Sequence, residues 1–286
     1  MKAGPLAQWF PRGTVTRVVG WFARTRLSRL AVAIYVKRYG VDLSEAEKPM
    51  TEYRSLAEFF GRRLKAESRP IDDSDGAIVS PSDALLSEQG SIDGNVSLSA
   101  KGVRYSLSML LAADGSTTSS FDQGWFMTLY LSPRDYHRVH VPVAGKIVGW
   151  THVPGTFYPV NARGVTSIPA VFTRNERVII YIATDAGTYA VVMVGAFVIG
   201  GISLVHVPQV ITNRRPASVR SETLNHPIAV ARGDELGQFN FGSTVILLFP
   251  GQFLEPNSQI ATGSLLKMGV RLARRKGAPY GSPVAF

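Results

Sequence analysis

A Gly-Ser bond near the C-terminal end is the part of this chain with the most distinctive potential chemistry. The segment Phe241-Gly242-Ser243-Thr244 leads directly into the apolar run 245–249, which predicts a buried strand. Glycine tolerates a strained backbone and lets a hydroxyl approach its carbonyl carbon. The Ser243 hydroxyl could therefore attack the Gly242 carbonyl and cut the chain. A serine released by such a cut can become a ketone, and a ketone can hold an amine substrate.

The dipeptide alone does not decide this interpretation, because Gly-Ser occurs five times in the chain. Gly115-Ser116 lies in a polar stretch, whereas Gly242-Ser243 joins a polar turn to a predicted strand. On these residues alone, a plain turn that enters a strand remains the better explanation.

Two of the five histidines, His137 and His140, lie three residues apart. On a helix this spacing would place both on one face and favour a metal site. Their flanks look extended, and in a strand positions three apart face opposite sides. The pattern therefore predicts two different roles and no metal, with two structural histidines as the alternative. Asp83 precedes a second apolar run, where it could form a turn or orient an imidazole.

Composition narrows the function classes. The chain has 286 residues, 45% of them hydrophobic, and no cysteine. It can bury a core, and it has neither disulfides, cysteine-ligated zinc nor thiol catalysis.

The basic residues are unevenly placed. Residues 1–40 carry eight basic side chains and no acidic one, interleaved with aromatic and aliphatic residues such as Trp21 and Phe22. This combination is typical of a helix that lies in a membrane interface, and it favours an anionic lipid surface over nucleic acid as the partner. The alternative is a helix packed on its own domain with a solvated basic face.

The rest of the chain predicts strands. Short β-branched runs separated by turn residues are found at Trp125–Leu131, Lys146–Val153, Arg177–Thr184, Tyr189–Val194, Phe197–Val205 and Thr244–Phe249. Residues 188–213 carry no charge, but their glycines favour two buried strands over a membrane-spanning helix. We therefore predict an α+β fold, predominantly β, with an antiparallel-rich sheet or sandwich domain over residues 71–286. Amphipathic helices over residues 1–70 would precede it.

The chain resembles the phosphatidylserine decarboxylase proenzymes of the membrane-bound bacterial type over nearly its whole length. The matching segments, in order, are 59–65 with Arg69-Pro70, Ser80-Pro81-Ser82-Asp83, 101–107, Tyr136-His137-Arg138-Val139-His140, 172–177, Val194-Gly195-Ala196, 233–237 and Phe241-Gly242-Ser243-Thr244. Two positions depart from the family pattern, since Phe241 replaces a leucine and Ala84 replaces the glycine after Asp83.

The resemblance implies a role for each candidate residue. Ser243 would be the self-cleavage nucleophile and the precursor of a covalent pyruvoyl (pyruvate) cofactor. His140 would activate Ser243, Asp83 would orient His140, and His137 would assist decarboxylation.

The resemblance also implies the reaction and the partners. The enzyme would be a carboxy-lyase that converts phosphatidylserine to phosphatidylethanolamine through a Schiff base. Cleavage between residues 242 and 243 would give a heterodimer of 1–242 and 243–286, which could pair into a dimer of heterodimers. The enzyme would be peripheral on the cytoplasmic face of the inner membrane. By their positive charge alone, Arg138 and Arg174 are candidates for headgroup contact. The alternatives are a pyruvoyl decarboxylase of a soluble amino acid and a basic β-rich lipid-binding module without catalysis.

Overall fold

The structure is a computed structural model that describes residues 12–92, 97–100, 103–196, 201–210, 212–213, 218–240 and 243–277. The helices are α1 (Arg12–Arg24), α2 (Leu30–Tyr39), α3 (Leu56–Phe60), α4 (Leu107–Leu111), α5 (Gly115–Ser119), α6 (Ala162–Ser167) and α7 (Val171–Arg174). Short 3₁₀ turns lie at Arg26–Arg29, Met50–Glu52 and Ala66–Ser68.

Strands dominate the chain after residue 76. They are β1 (Ala77–Val79), β2 (Ala84–Ser91), β3 (Ser97–Ala100), β4 (Val103–Ser106), β5 (Trp125–Leu131), β6 (Arg138–His140), β7 (Gly145–Val153), β8 (Arg177–Thr184), β9 (Gly187–Gly195), β10 (Ile202–Leu204), β11 (Arg220–Val230), β12 (Glu235–Phe239), β13 (Ser243–Phe249), β14 (Leu254–Pro256), β15 (Leu265–Leu266) and β16 (Arg271–Arg275). The predicted α+β class with predominant, antiparallel β-structure is confirmed.

An eight-stranded antiparallel sheet carries the core, in the order β11-β7-β8-β9-β13-β5-β2-β15. The strand β13 lies near its centre between β9 and β5, and every one of its residues is buried. Its side chains alternate between two apolar clusters, with Val245 on one face of the sheet and Ile246 on the other. A strand buried on both faces explains the continuous apolar run in the sequence.

A smaller antiparallel sheet, β10-β12-β6, packs on the Val245 face of the large sheet. It contributes Ile202, Val139 and Phe239 to the same apolar cluster as Val245. This sheet-on-sheet contact positions the histidine segment against the interior. A third sheet, β1-β16-β14, and a two-stranded sheet, β3-β4, complete the β-structure of the described ranges.

The N-terminal helices form a separate small cluster in which Ala23, Val32, Tyr35, Phe59 and Phe60 are buried. It is joined to the strands by polar contacts, including one from the Tyr35 hydroxyl to the Pro133 carbonyl at 2.5 Å. The division at residue 70 stays a prediction.

The described residues between 188 and 213 include strands β9 and β10, which lie in two different sheets, so the prediction of two strands is confirmed there. Among the described residues, no helix has the length and apolarity needed to cross a bilayer.

Candidate active site

Ser243 is the first residue of β13, and its neighbours across the sheet are Leu131 of β5 and Gly195 of β9. The residue is completely buried, and its Oγ has no hydrogen-bond partner among the described residues. A buried hydroxyl without a partner costs about 1–3 kcal/mol, so its presence in a central strand calls for a chemical reason. Gly242, the predicted partner in cleavage, lies outside the described residues.

The position of Ser243 suits a serine side chain that is converted into a covalently attached cofactor. The Ser243 side chain points to the same face as Val245, where the smaller sheet with the histidine segment packs. The Phe239 N–H, four residues before Ser243, donates to the His137 carbonyl at 3.0 Å. The chain just before the predicted cut is therefore anchored to the segment that carries the histidines.

His140 is buried in β6, and both of its ring nitrogens are engaged. The Nδ1–H donates to the Gly233 carbonyl at 2.8 Å, so Nε2 carries the lone pair and accepts from the Tyr136 hydroxyl at 3.0 Å. Burial lowers the pKa of His140 and keeps the imidazole neutral. Burial also raises the pKa of Tyr136 to about 12, so its hydroxyl stays a donor. His140 is thus a neutral base whose lone pair is held by one hydroxyl.

Gly233 supplies the carbonyl that sets the His140 tautomer, and only glycine suits this position. Its φ is +88°, and a Cβ there would lie 2.0 Å from Ile71 Cδ1.

His137 lies just before β6 and is completely buried. Its Nδ1–H donates to the Asp135 carbonyl at 2.8 Å, while Nε2 has no partner among the described residues. The Phe60 ring lies 4.0 Å from the imidazole, centroid to centroid. Burial lowers the pKa of His137 to about 3, with a smaller contribution from the Arg62 charge. The two histidines therefore occupy different environments, as their spacing in an extended segment predicts.

Asp83 is held by Arg69 rather than by His140. Its carboxylate accepts from Arg69 Nε at 2.8 Å, from Arg69 Nη2 at 2.5 Å and from the Met268 N–H at 2.9 Å. The structure brings Asp83 and His140 together through the backbone, since the His140 N–H donates to the Pro81 carbonyl at 2.8 Å. The Asp83 charge also acts on His140 as a minor influence that raises its pKa.

A cavity of about 260 Å³ opens between the N-terminal region and the strands. Asp83 and Tyr136 line it, so it reaches the tyrosine whose hydroxyl contacts His140. Its other charged lining residues are Asp42, Glu45, Arg62, Arg69, Arg134, Asp135 and Lys267. In the described ranges no group of three or more His, Asp or Glu side chains is arranged to hold a metal ion.

Sequence reasoning missed Arg69, Tyr136 and Gly233 as partners of the site. Each of the three lies in a segment that carries the family resemblance. That position is the feature of the sequence that could have identified them. It also missed a buried pair, His152 and Glu176, whose Nε2 and Oε1 lie 2.8 Å apart.

Comparison with known proteins identifies the family of this chain. The family model described as phosphatidylserine decarboxylase matches residues 56–274. A phosphatidylserine decarboxylase proenzyme of Brevibacillus brevis is 40% identical over 267 residues, 93% of this chain and 95% of the relative. The proenzyme of Coxiella burnetii is 37% identical, covering 89% and 92% of the two chains. That of Vibrio cholerae is 38% identical, covering 94% and 96%. Because these matches cover most of the chain at 37–40% identity, the chain belongs to the phosphatidylserine decarboxylase family.

Proposed function

We propose that this protein is a carboxy-lyase that decarboxylates phosphatidylserine to phosphatidylethanolamine with a pyruvoyl group made from its own Ser243. The observation that carries the proposal is the buried Ser243 hydroxyl without a partner, on the face of the central strand where the histidine segment packs. The proposed identity of the substrate follows from family membership, because the relatives are named for phosphatidylserine.

The first role of the site is self-cleavage. The Ser243 Oγ attacks the Gly242 carbonyl carbon while His140 Nε2 accepts the hydroxyl proton, and an ester replaces the amide. Loss of the Ser243 α-proton then expels the Gly242 carboxylate from Cβ, which separates residues 1–242 from 243–286. Addition of water to the remaining dehydroalanine, with release of ammonia, leaves the ketone. Before Ser243 can attack, the Tyr136 hydroxyl must turn away from His140 Nε2, since it occupies the lone pair that accepts the serine proton.

Asp83 supports His140 at a distance. Its carboxylate fixes the segment from Pro81 to Asp83 through Arg69 and the Met268 N–H, and Pro81 accepts the His140 N–H. Its negative charge favours the imidazolium that forms when His140 takes the serine proton. We propose this as the way in which Asp83 orients the base.

The second role of the site is decarboxylation. A pyruvoyl group supplies a ketone that binds the substrate amine covalently and accepts the electron pair left when CO₂ departs. The substrate arrives as an ammonium ion, which must lose a proton before it can attack. The neutral His137 has a lone pair without a partner on Nε2 and can take that proton. It can return the proton to the substrate α-carbon after the carboxylate has left.

The strand pairing supports a heterodimer after cleavage. Strand β13 belongs to the C-terminal product and is hydrogen-bonded on both sides, to β9 and β5 of the N-terminal product. Strands β15 and β16 likewise pair with β2 and β1. The two products therefore share two sheets, and a dimer of such heterodimers remains a prediction.

The N-terminal helices support attachment to a membrane surface. Apolar side chains exposed on this region are Val18, Trp21, Phe22, Leu27, Leu30 and Ile34, with Leu30 80% exposed. Basic residues of the same segment are Arg24, Arg26, Arg29, Lys37 and Arg38. This combination binds anionic headgroups while its apolar side chains enter the interface. We therefore propose a peripheral enzyme on the cytoplasmic face of the inner membrane.

Intact mass spectrometry tests the proposal directly. The wild-type protein should give two chains cut between residues 242 and 243, and the smaller chain should carry a carbonyl that hydroxylamine traps. Ser243→Ala should give one chain without activity on phosphatidylserine vesicles. An active, uncut wild-type chain would contradict the proposal, and turnover of free serine in place of the lipid would favour a soluble amino acid as substrate.

A further inference from the structure

The Arg62 guanidinium is buried beside the site with part of its hydrogen-bonding capacity unused. Arg62 is only 4% exposed, and its Nη2 donates to the carbonyls of Arg134 at 2.9 Å and Asp135 at 3.2 Å. Its Nε and Nη1 are buried without a partner among the described residues. Leaving donors of a buried cation unpaired is costly, so these atoms call for an acceptor that the described residues do not provide.

The other cations of the cavity already have carboxylate partners. Arg69 contacts Asp83 at 2.5 Å and Glu45 at 2.7 Å, and Lys267 contacts Glu45 at 3.2 Å. The exposed Arg134 lies 3.8 Å from Asp135 Oδ1. For Arg62 no carboxylate of the described residues lies within ion-pair distance, so its charge is available to an anion in the cavity.

The headgroup candidates named from the sequence are less suitable. Arg138 is held by Glu235 Oε1 at 2.5 Å and by two bonds to the Gly61 carbonyl. Arg174 lies over the Tyr158 ring at 4.7 Å and donates to its hydroxyl.

Arg62 is linked to the reacting groups through one carbonyl oxygen. The Asp135 carbonyl accepts from both Arg62 Nη2 and His137 Nδ1. The turn that carries it starts at Ser132, directly after Leu131, the residue opposite Ser243. An anion bound to Arg62 would thus contact the segment that joins His137 to the strand residue opposite Ser243.

We propose that Arg62 binds the phosphate diester of the serine phospholipid headgroup, through the donors left unused at Nε and Nη1. This inference rests on the proposed function. The phosphate suits Arg62 better than the carboxylate does, because the carboxylate loses its charge as CO₂ departs. A cation fixed on that carboxylate would stabilise the ground state more than the transition state. The phosphate keeps its charge throughout, and guanidinium groups bind phosphate oxygens strongly.

Phosphate binding would also affect His137. The Arg62 charge lowers the pKa of His137 in the free protein. A phosphate placed on Arg62 offsets that charge, so the imidazole holds a proton more readily once the substrate is bound.

Isothermal titration calorimetry of the cleaved protein tests the proposal with glycerophosphoethanolamine, glycerophosphoserine, dimethyl phosphate and serine. Arg62→Gln should weaken binding of all three phosphate diesters about tenfold or more, as expected for the loss of a charge-assisted contact. Binding of serine should change little. The matched control is Arg63→Gln, because Arg63 is its neighbour in the chain but 63% exposed, 3.7 Å from Glu235.

Three outcomes would overturn the proposal. Equal affinities in Arg62→Gln and Arg63→Gln would show that Arg62 binds no ligand. Loss of binding by serine and glycerophosphoserine alone would show that it binds the carboxylate. If Arg62→Gln does not fold, a wild-type structure with glycerophosphoethanolamine decides, and a phosphate away from Arg62 contradicts the inference.

Separate measurements distinguish failure of phosphate binding at Arg62 from failure of the proposed decarboxylase function. Cleavage and hydroxylamine trapping in Arg62→Gln report on Ser243 and not on the diester. A wild-type protein that binds diesters through Arg62 but neither cuts itself nor forms CO₂ would contradict the function alone.

Discussion

Arg69 and Asp83 form a buried ion pair with two contacts, Nε to Oδ1 at 2.8 Å and Nη2 to Oδ2 at 2.5 Å. Arg69 also contacts Glu45 of the N-terminal region, and Asp83 accepts from the N–H of Met268, which lies beyond the predicted cut. Three parts of the chain therefore meet at one carboxylate. The pair has a structural role in joining them, in addition to the proposed role of Asp83 towards His140.

Removing one member of this pair should be more harmful than removing both. In the uncut Ser243→Ala chain, we expect Arg69→Met to lower the free energy of unfolding by about 3–5 kcal/mol, because it leaves the Asp83 carboxylate buried with one N–H donor. Adding Asp83→Leu should recover part of that loss, as measured by urea unfolding. Strictly additive losses in the double variant would show that the two side chains do not depend on each other.

The Tyr136 hydroxyl should set the pH at which the chain cuts itself. In Tyr136→Phe the donor to His140 Nε2 is lost, so the neutral imidazole is less favoured and the pKa of His140 rises. The acid limb of the cleavage rate should then shift up by about 0.5–1 pH unit, the equivalent of one hydrogen bond. Cell-free synthesis followed by timed electrophoresis from pH 5 to pH 8 measures it. An unchanged acid limb would mean that His140 is not the base.

The five central strands of the large sheet, β7, β8, β9, β13 and β5, could be predicted from sequence because their apolar signal is local. The mostly exposed edge strand β11 lacks that signal and is not among the predicted strands. The strand β13 starts one residue before the predicted Thr244, and β5 and β8 match their predicted bounds. The capping-box spacing of Ser55 and Glu58 predicts a helix that continues through residue 65. The cap forms, with Ser55 Oγ accepting from the Glu58 N–H, but the helix is shorter than predicted. It ends at Phe60 because the next residues are used in tertiary contacts, Arg62 with Arg134 and Leu64 with Ala46.

The site shows the same difference between local sequence signals, which are predictable, and long-range contacts, which are not. Ser243, His137 and His140 could be singled out by type and spacing, and the structure places His140 in a strand and His137 before it. The long-range contacts of the site could not, because they join residues distant in the chain: Gly233 lies 93 residues from His140, and Asp135 lies 73 from Arg62. Only the packing of the small sheet and the N-terminal helices brings these groups together.

The two histidines should separate cleavage from catalysis. His137→Asn keeps an N–H donor for the Asp135 carbonyl, so the chain should fold and cut itself. It should lose decarboxylation by about 10²–10⁴-fold, the usual contribution of a positioned acid–base group. His140→Asn should remain uncut. Mass spectrometry and CO₂ release from phosphatidylserine vesicles measure the two steps, and the reverse pattern would exchange the two roles.

The buried His137 should also make the uncut protein sensitive to acid. Its pKa is about 3 in the folded chain against an ordinary value of 6.5, so below pH 6.5 the unfolded chain binds a proton that the folded chain does not. Stability is therefore unaffected above pH 6.5, and between pH 6.5 and about 3 this histidine removes about 1.4 kcal/mol per pH unit. In the Ser243→Ala background, His137→Asn should flatten the pH dependence of urea unfolding by about that slope between pH 6 and pH 4. Parallel curves for the two proteins would show that His137 is protonated in the folded chain, and a neutral imidazole could no longer be the group that takes the substrate proton.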